Sequence, residues 1–270
     1  SVTVDFKTGF ATTATENDTL VSIENIIGGT VADLFKMNED NVDNAINGGN
    51  GSDTISYEYY VSSGVKVNLS TALSQIVVAG TDNDVDTLTN IENISGSTQD
   101  DTLIGSSVNN SILGNAGNDT FIAGTDTNND GTLDTWANDG NDYFDGGSGT
   151  GDWVDYSVIG DDATLGTNGI SLTLDGANTA IVTVRGGTSD SLLNVENVSG
   201  TQDSDSIKGD SQNNTIYGNA GSDILSGEAG IDRLYGGTNN DTILGGSGDD
   251  TLVGESGDDT LTGDTGNDKL

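Results

Sequence analysis

The 270-residue chain contains no cysteine, no histidine and no proline, and it carries 7 basic side chains against 44 acidic ones. Each shortage removes a class of chemistry. Without Cys or His there is no zinc site of the usual sulfur and nitrogen kind, no Ser-His-Asp triad, no Cys-His pair and no disulfide framework. A formal net charge of -37 repels phosphate, so nucleic acid and anionic lipid are not expected as partners. No apolar run approaches the roughly 20 residues that cross a bilayer as a helix, so membrane insertion is not expected. The first residues show no basic-then-apolar leader. Lys7, Lys36, Lys66, Arg185, Lys208, Arg233 and Lys269 are too scattered for a basic patch.

What is present is glycine, acid and regularly placed aliphatics. Forty Gly and a hydrophobic content of 32% lie, at this charge, close to the composition of disordered chains. Such a chain folds if something cancels the charge and if every turn is short. Divalent cations supply the first condition and a Gly-Asp repeat the second.

That repeat runs from Gly200 to Leu270 as eight consecutive nine-residue units, the last lacking one residue. The first position is Gly in all eight, from Gly200 to Gly263. The sixth is Asp205, Asn214, Asp223, Asp232, Asp241, Asp250, Asp259 and Asp268, and the eighth is always Ile or Leu. The fourth is Gly in five units (Gly221, Gly230, Gly248, Gly257, Gly266). Gly at the first and fourth positions lets the backbone turn through conformations closed to other residues. The x-aliphatic-x segment makes a three-residue strand that buries one side chain. Two units then form an 18-residue coil, and coils stacked about 4.8 Å apart pair their strands in parallel. On each flank the Asp of one unit lies above that of the unit two further on: Asp223/Asp241, Asp241/Asp259, Asp232/Asp250 and Asp250/Asp268. Carboxylates so close repel unless a cation intervenes, and hard oxygen ligands in flexible geometry select calcium.

The unit follows the pattern GGxGxDxUx, which the chain matches in full at 245–253 (GGSGDDTLV) and which resembles the RTX, or hemolysin-type, calcium-binding nonapeptide repeats. The resemblance implies an all-β fold, a parallel β-roll or β-helix solenoid of calcium-binding nonapeptides with interposed strand segments. Less regular units occur earlier, at 28–36, 39–47 and 48–56, and again at 96–104, 105–113, 114–122 and 137–145. Between the groups stands a different segment, ending NDTLVSIENIIG (17–28), VDTLTNIENISG (85–96) and SDSLLNVENVSG (189–200). An alternating strand precedes each copy: SVTVDF (1–6), GVKVNL (64–69) and GISLTL (169–174). The chain divides on this reading into a partial module 1–56, a module 57–155 and a module 156–270, and is expected to be a piece of something longer.

The expected calcium ligands are Asp53, Asp101, Asp119, Asp142, Asp152, Asp205, Asp223, Asp232, Asp241, Asp250, Asp259 and Asp268. To these a DxNxDG loop adds Asp126, Asn128, Asp130 and Asp134, although its twelfth position is Ala137 rather than Glu. Asp82, Asp84 and Asp86 alternate as a further acidic run, read equally well as a solvated turn. Glu24, Glu92 and Glu196 recur once per module, which argues for a structural or ligand-orienting role over catalysis. Trp136, Trp153, Tyr57, Tyr59 and Tyr60 are expected to cover the core rather than to stack sugars. Ice binding would need flat Thr/Asn ranks, and the two candidates (Thr238/Asn240 and Thr265/Asn267) fall on opposite flanks.

The function expected from the resemblance is a calcium-dependent structural array of a secreted bacterial surface protein, adhesin or surface-layer in type, that folds outside the cell. The other reading is the repeat module of an RTX enzyme whose catalytic domain lies elsewhere; nothing in this chain supplies catalysis. Partners on either reading are calcium, and copies of itself or neighbouring modules.

Overall fold

A computed structural model of the chain describes residues 1–40, 42–70, 75–79, 84–123, 140–157, 169–183 and 189–270. These residues form strands and turns without any helix. The strands fall into two walls, a sheet of 15 and a sheet of 12. Consecutive nonapeptide strands alternate between the walls, which makes the fold a β-roll. The register is that of an 18-residue coil: Thr215 pairs with Arg233 and Arg233 with Thr251 on one wall, Ile224 with Thr242 and Thr242 with Thr260 on the other.

Each short strand turns one side chain inward, as period-two alternation requires. Ile207, Leu225 and Ile243 line one wall and Ile216, Leu234 and Leu252 face them, all almost wholly buried. The same single file continues through Val154, Phe144, Phe121, Leu103, Ile94, Ile55 and Phe35 to Val4, so one core runs the length of the described chain. It is only two side chains thick.

The alternating segments form antiparallel meanders inserted into the walls. Val65–Asn68, Gln75–Ala79 and Asp84–Thr89 lie side by side in the 12-stranded sheet, and Ser171–Thr173, Ala180–Thr183 and Ser189–Leu193 in the 15-stranded one. Their order runs backwards. Val65–Asn68 overshoots to pair with Thr102–Ile104 ahead of it, and the chain then retraces until Asp84–Thr89 lies on Ala45–Asn47 behind it. On the opposite wall Thr54–Ser56 and Asn93–Ser95 pair directly. The next meander repeats the manoeuvre on the other wall, with Ser171–Thr173 on Ser206–Lys208 and Ser189–Leu193 on Tyr143–Asp145. Two surplus strands in one wall are thus followed by two in the other.

One expectation changes. Three-residue strands hold up to Ser206–Lys208, but from Thr215–Ala220 onward strands run six residues. In this block the start of the following unit stays in register, with Asn219 opposite Gly237 and Ala220 opposite Thr238.

Candidate metal centre

The sixth-position residues form hydrogen-bonded columns along both flanks. The N–H of Asp223 donates to Oδ1 of Asp241 (2.8 Å), and that of Asp241 to Oδ1 of Asp259 (2.9 Å). On the other flank Asp232 donates to Asp250 (2.9 Å) and Asp250 to Asp268 (3.0 Å). The earlier coils do the same: Asp33 to Asp53, Asp101 to Asp119, Asp119 to Asp152, Asn110 to Asp142, and Asp205 to Asp223. The stacked pairs read from the 18-residue period are therefore neighbours. They are joined through one oxygen by a charge-assisted bond, and it is the other oxygen that distinguishes one turn from the next.

Among the described residues, five turns cap a side-chain oxygen from within, the second oxygen of an Asp or the single oxygen of an Asn. The N–H of the unit's second residue, four before the Asp or Asn, donates back to it: Gly29 to Asp33 Oδ2 (2.6 Å), Ser97 to Asp101 Oδ2 (2.6 Å), Thr201 to Asp205 Oδ2 (2.6 Å), Ser106 to Asn110 Oδ1 (2.6 Å) and Asp210 to Asn214 Oδ1 (2.9 Å). The hydroxyls of Ser97 and Thr201 add a bond to Oδ1 (2.7 and 2.9 Å). In the open turns there is no such cap. Oδ2 of Asp53, Asp119, Asp152, Asp223, Asp232, Asp241 and Asp250 is buried with no partner.

Backbone conformation explains the difference. In six of the seven open turns the second and fourth residues are left-handed, as Asn219 (φ 74°) and Gly221 (φ 118°) are before Asp223; where the fourth residue is not Gly, Asn239 takes the same conformation (φ 83°), and the Asp152 turn has Gly147 alone (φ 88°). The second residue then pairs with its counterpart in the next coil and is turned away from the Asp. Left-handed geometry favours Gly and Asn. The first-position Gly serves another purpose than the sequence reading gave it. Gly218 is not left-handed; a Cβ there would collide with Oδ2 of Asp223 and with the carbonyl oxygen of Gly236 in the coil above. The same holds at Gly227, between Asp232 Oδ2 and the carbonyl of Gly245, and at Gly236, between Asp241 Oδ2 and that of Gly254. A bare carboxylate oxygen and a backbone carbonyl thus face one small space in coil after coil.

An unsatisfied buried acceptor costs about 1–3 kcal/mol, and more when charged, so a column of them needs either protons or cations. Burial pushes Asp119, Asp223 and Asp232 up to about 7, the neighbouring carboxylates of each column adding to the rise. Asp152 is pushed up to about 6, and Asp53 and Asp241 are raised as well, again chiefly by burial. Among the described residues no three Asp, Glu, His or Cys side chains close on a common point. A cation here would take one carboxylate oxygen from a turn and complete its shell with main-chain carbonyls. Oxygen-only, flexible ligation of that kind suits calcium.

Elsewhere the protein satisfies both oxygens itself. Glu92 and Glu196 accept the N–H of Asp53 (2.8 Å) and Asp152 (3.0 Å), taking the place of the next Asp where the roll resumes after a meander. Asp86 accepts from Asn44 N–H and the hydroxyl of Tyr57, and Asp190 from Asp142 N–H and the hydroxyl of Tyr156, at 3.0–3.1 Å. Asp86 is therefore a buried structural carboxylate, and Asp190 is its unforeseen counterpart. Tyr57 and Tyr60 are buried, Tyr59 lies under Lys7, and Trp153 stacks on Tyr217, which stacks on Tyr235. The turn before Asp142 begins at 137–139, and that stretch lies outside the described residues. So do Asp82, the whole loop Asp126, Asn128, Asp130 and Asp134, and Trp136.

Comparison with known proteins bears on the repeats directly. The family profile of the RTX calcium-binding nonapeptide repeat (four copies) matches residues 41–57, 95–129, 136–151, 199–234 and 235–270, more than half of the chain. No curated protein matches the chain.

Proposed function

The chain belongs to the RTX family of calcium-binding nonapeptide repeats, and from that premise we propose that it is a calcium-locked structural β-roll of a secreted bacterial surface protein, adhesin or surface-layer in type. The observation that carries this reading is the column of buried, unpartnered Oδ2 atoms at the open turns. Bound calcium supplies the positive charge those oxygens need. The carboxylates orient Oδ2 toward it because Oδ1 is already held by the N–H of the coil below, and the first-position glycines keep the space free. Without the ion, like charges stack at one coil spacing around a core two side chains thick, and the extended chain is favoured. Proteins with these repeats are typically secreted. A chain unfolded at cytosolic calcium and folded at the roughly millimolar calcium outside fits export in an unfolded state. The meanders share one core with the repeats, which supports a long mechanical array over the compact repeat tail of an enzyme.

The test is size-exclusion chromatography with light scattering, in chelator and then in millimolar calcium. The reading expects a marked fall in hydrodynamic radius on adding calcium. It also expects Asp250→Ala to raise the calcium concentration at which the last coils fold. An unchanged radius would sink the calcium lock, and an unchanged midpoint in the variant would sink the stacking of Asp232, Asp250 and Asp268 as its basis.

A further inference from the structure

The family pattern treats every sixth-position Asp alike, but the structure sorts them. We propose that calcium binds this chain only at its open turns, and that the self-capped turns following each meander are metal-free, which removes Asp101 and Asp205 from the ligand set. The inference rests on the calcium reading above and refines where the ions go.

Three independent observations carry it. The first is occupancy of the second oxygen: in self-capped turns it is held by the second residue's N–H at 2.6–2.9 Å, whereas in open turns it is buried and bare. A cation at Oδ2 of Asp205 would have to displace the N–H of Thr201, and Oδ1 already accepts from the Thr201 hydroxyl and the N–H of Ile170. The second is conformation. None of the five self-capped turns has a left-handed second or fourth residue. Adopting the open geometry would drive residues such as Val108 and Thr201 into a region that β-branched side chains avoid. The third is side-chain chemistry. Asn stands at the sixth position at Asn44, Asn110 and Asn214 and in none of the turns with a bare sixth-position oxygen; in the two capped turns, Asn110 and Asn214, its Nδ2 donates to the carbonyls of Glu92 (2.6 Å) and Glu196 (2.8 Å). An amide takes the cap on its one oxygen and ties to the preceding coil through Nδ2, but it brings no charge to a cation. No turn whose sixth-position oxygen is bare carries Asn, although the capped turn of Asn214 has a bare buried Oδ2 at its second residue, Asp210.

The self-capped turns come in order. Asp101 and Asn110 follow the meander that ends at Asp84–Thr89, Asp205 and Asn214 the one that ends at Ser189–Leu193, and the open turns come after them. Each stretch of roll thus starts on turns closed by the chain's own hydrogen bonds, which give the metal-dependent coils an edge to grow on.

The test counts ions. Calcium bound per chain is measured by equilibrium dialysis on the whole 270-residue protein and on Asp101→Asn, Asp205→Asn, Asp223→Asn and Asn214→Asp. The first two variants place Asn where the fold already accepts it one unit later, and the expected stoichiometry is that of the unsubstituted chain. Asp223→Asn is expected to lose at least one ion. Asn214→Asp restores a carboxylate to a capped turn and is expected to gain none, which keeps the proposal open to refutation if an Asp→Asn variant fails to fold. Loss of an ion from Asp205→Asn or Asp101→Asn, or gain of one by Asn214→Asp, would overturn the partition and leave the calcium reading standing. An unsubstituted chain that binds no calcium would overturn both.

Discussion

Asp205 and Asp223 stand one above the other on the same flank, in strands that pair residue for residue, yet they belong to different kinds of structure. Both use Oδ1 to accept the N–H of the preceding coil, from Ile170 and Asp205 respectively. Asp205 gives its second oxygen to Thr201, and Asp223 gives it to nothing in the protein. The repeat aspartate therefore has two separable tasks. One is a rung in a hydrogen-bonded column that any carboxylate or amide can form. The other is a negative charge in a confined space, present only where left-handed residues keep the turn open. On the proposed partition the regular C-terminal block is the part of the molecule that leaves most to the metal, while the first turns after each meander depend chiefly on their own hydrogen bonds.

The most damaging way to break this comparison is to remove the left-handed residue from an open turn. Gly117 (φ 123°) lies directly over Gln99, which holds the same fourth position in the self-capped turn of Asp101. Gly117→Ala would hold a Cβ in a poorly populated backbone region and against the Gln99 carbonyl, at a cost of about 1–3 kcal/mol. Gln99→Ala, with ordinary φ and an exposed side chain, should change stability by less than about 0.5 kcal/mol. Urea midpoints in saturating calcium decide the matter; equal losses at the two positions would mean that the two kinds of turn do not differ in conformational demand.

Protons offer a gentler probe, because on the proposed reading they and calcium compete for the same oxygens. Asp119, Asp223 and Asp232 are pushed up to about 7 by burial, against an ordinary value of 3.8. The metal-free folded chain consequently binds protons more tightly than the unfolded one. The stability this confers is complete below the ordinary carboxylate range and is lost as pH rises through about 7. In chelator, lowering the pH from about 8 to about 5 should therefore restore strand signal in circular dichroism. In saturating calcium the same titration should be flatter, since the ion replaces the proton. A chelated chain that loses structure over this range would contradict the assignment of the bare oxygens.

Much of this was legible beforehand, for a simple reason. The 18-residue coil, its alternating flanks and its inward aliphatics are periodic, and a period can be counted without coordinates. The fourth-position Gly also carried the open-turn signal: the self-capped turns have Val31, Gln99, Val108, Asp203 and Gln212 there. Its meaning was hidden because the deciding bond, from the second residue's N–H to the sixth residue's side chain, belongs to the backbone and has no sequence signature. Only Ser97, Ser106 and Thr201 hint at it through their hydroxyls. The backward threading of the meanders was out of reach for a related cause. Alternation identifies Val65–Asn68 as a strand but says nothing about whether its partner lies ahead or behind. Asp86 read as part of an acidic run and Asp190 drew no reading, because their partners, Tyr57 and Tyr156, lie 29 and 34 residues away.

That tyrosine contact is the smallest handle on the comparison and the most specific. At Asp190 the second oxygen is satisfied neither by a backbone cap nor by a cation but by the hydroxyl of Tyr156 at 3.0 Å, in a site where burial pushes the carboxyl up to about 6. Tyr156→Phe removes one hydrogen bond and almost no volume, so its expected cost is the penalty for one unpaired buried acceptor, about 1–3 kcal/mol. It also converts Asp190 into an imitation of an open-turn aspartate, with Oδ1 still held by Asp142 N–H and a vacant second oxygen. The loss should therefore shrink as the pH falls and the carboxyl takes up a proton, because the protonated acid no longer needs a donor. Calcium should not repair it, since Asp190 lies within the strand Ser189–Leu193 of a meander and not at the sixth position of a nonapeptide turn. Denaturation midpoints of Tyr156→Phe against pH, with and without calcium, separate these cases: rescue by acid alone would show that a bare oxygen is not enough, and that the open backbone is what makes a calcium turn.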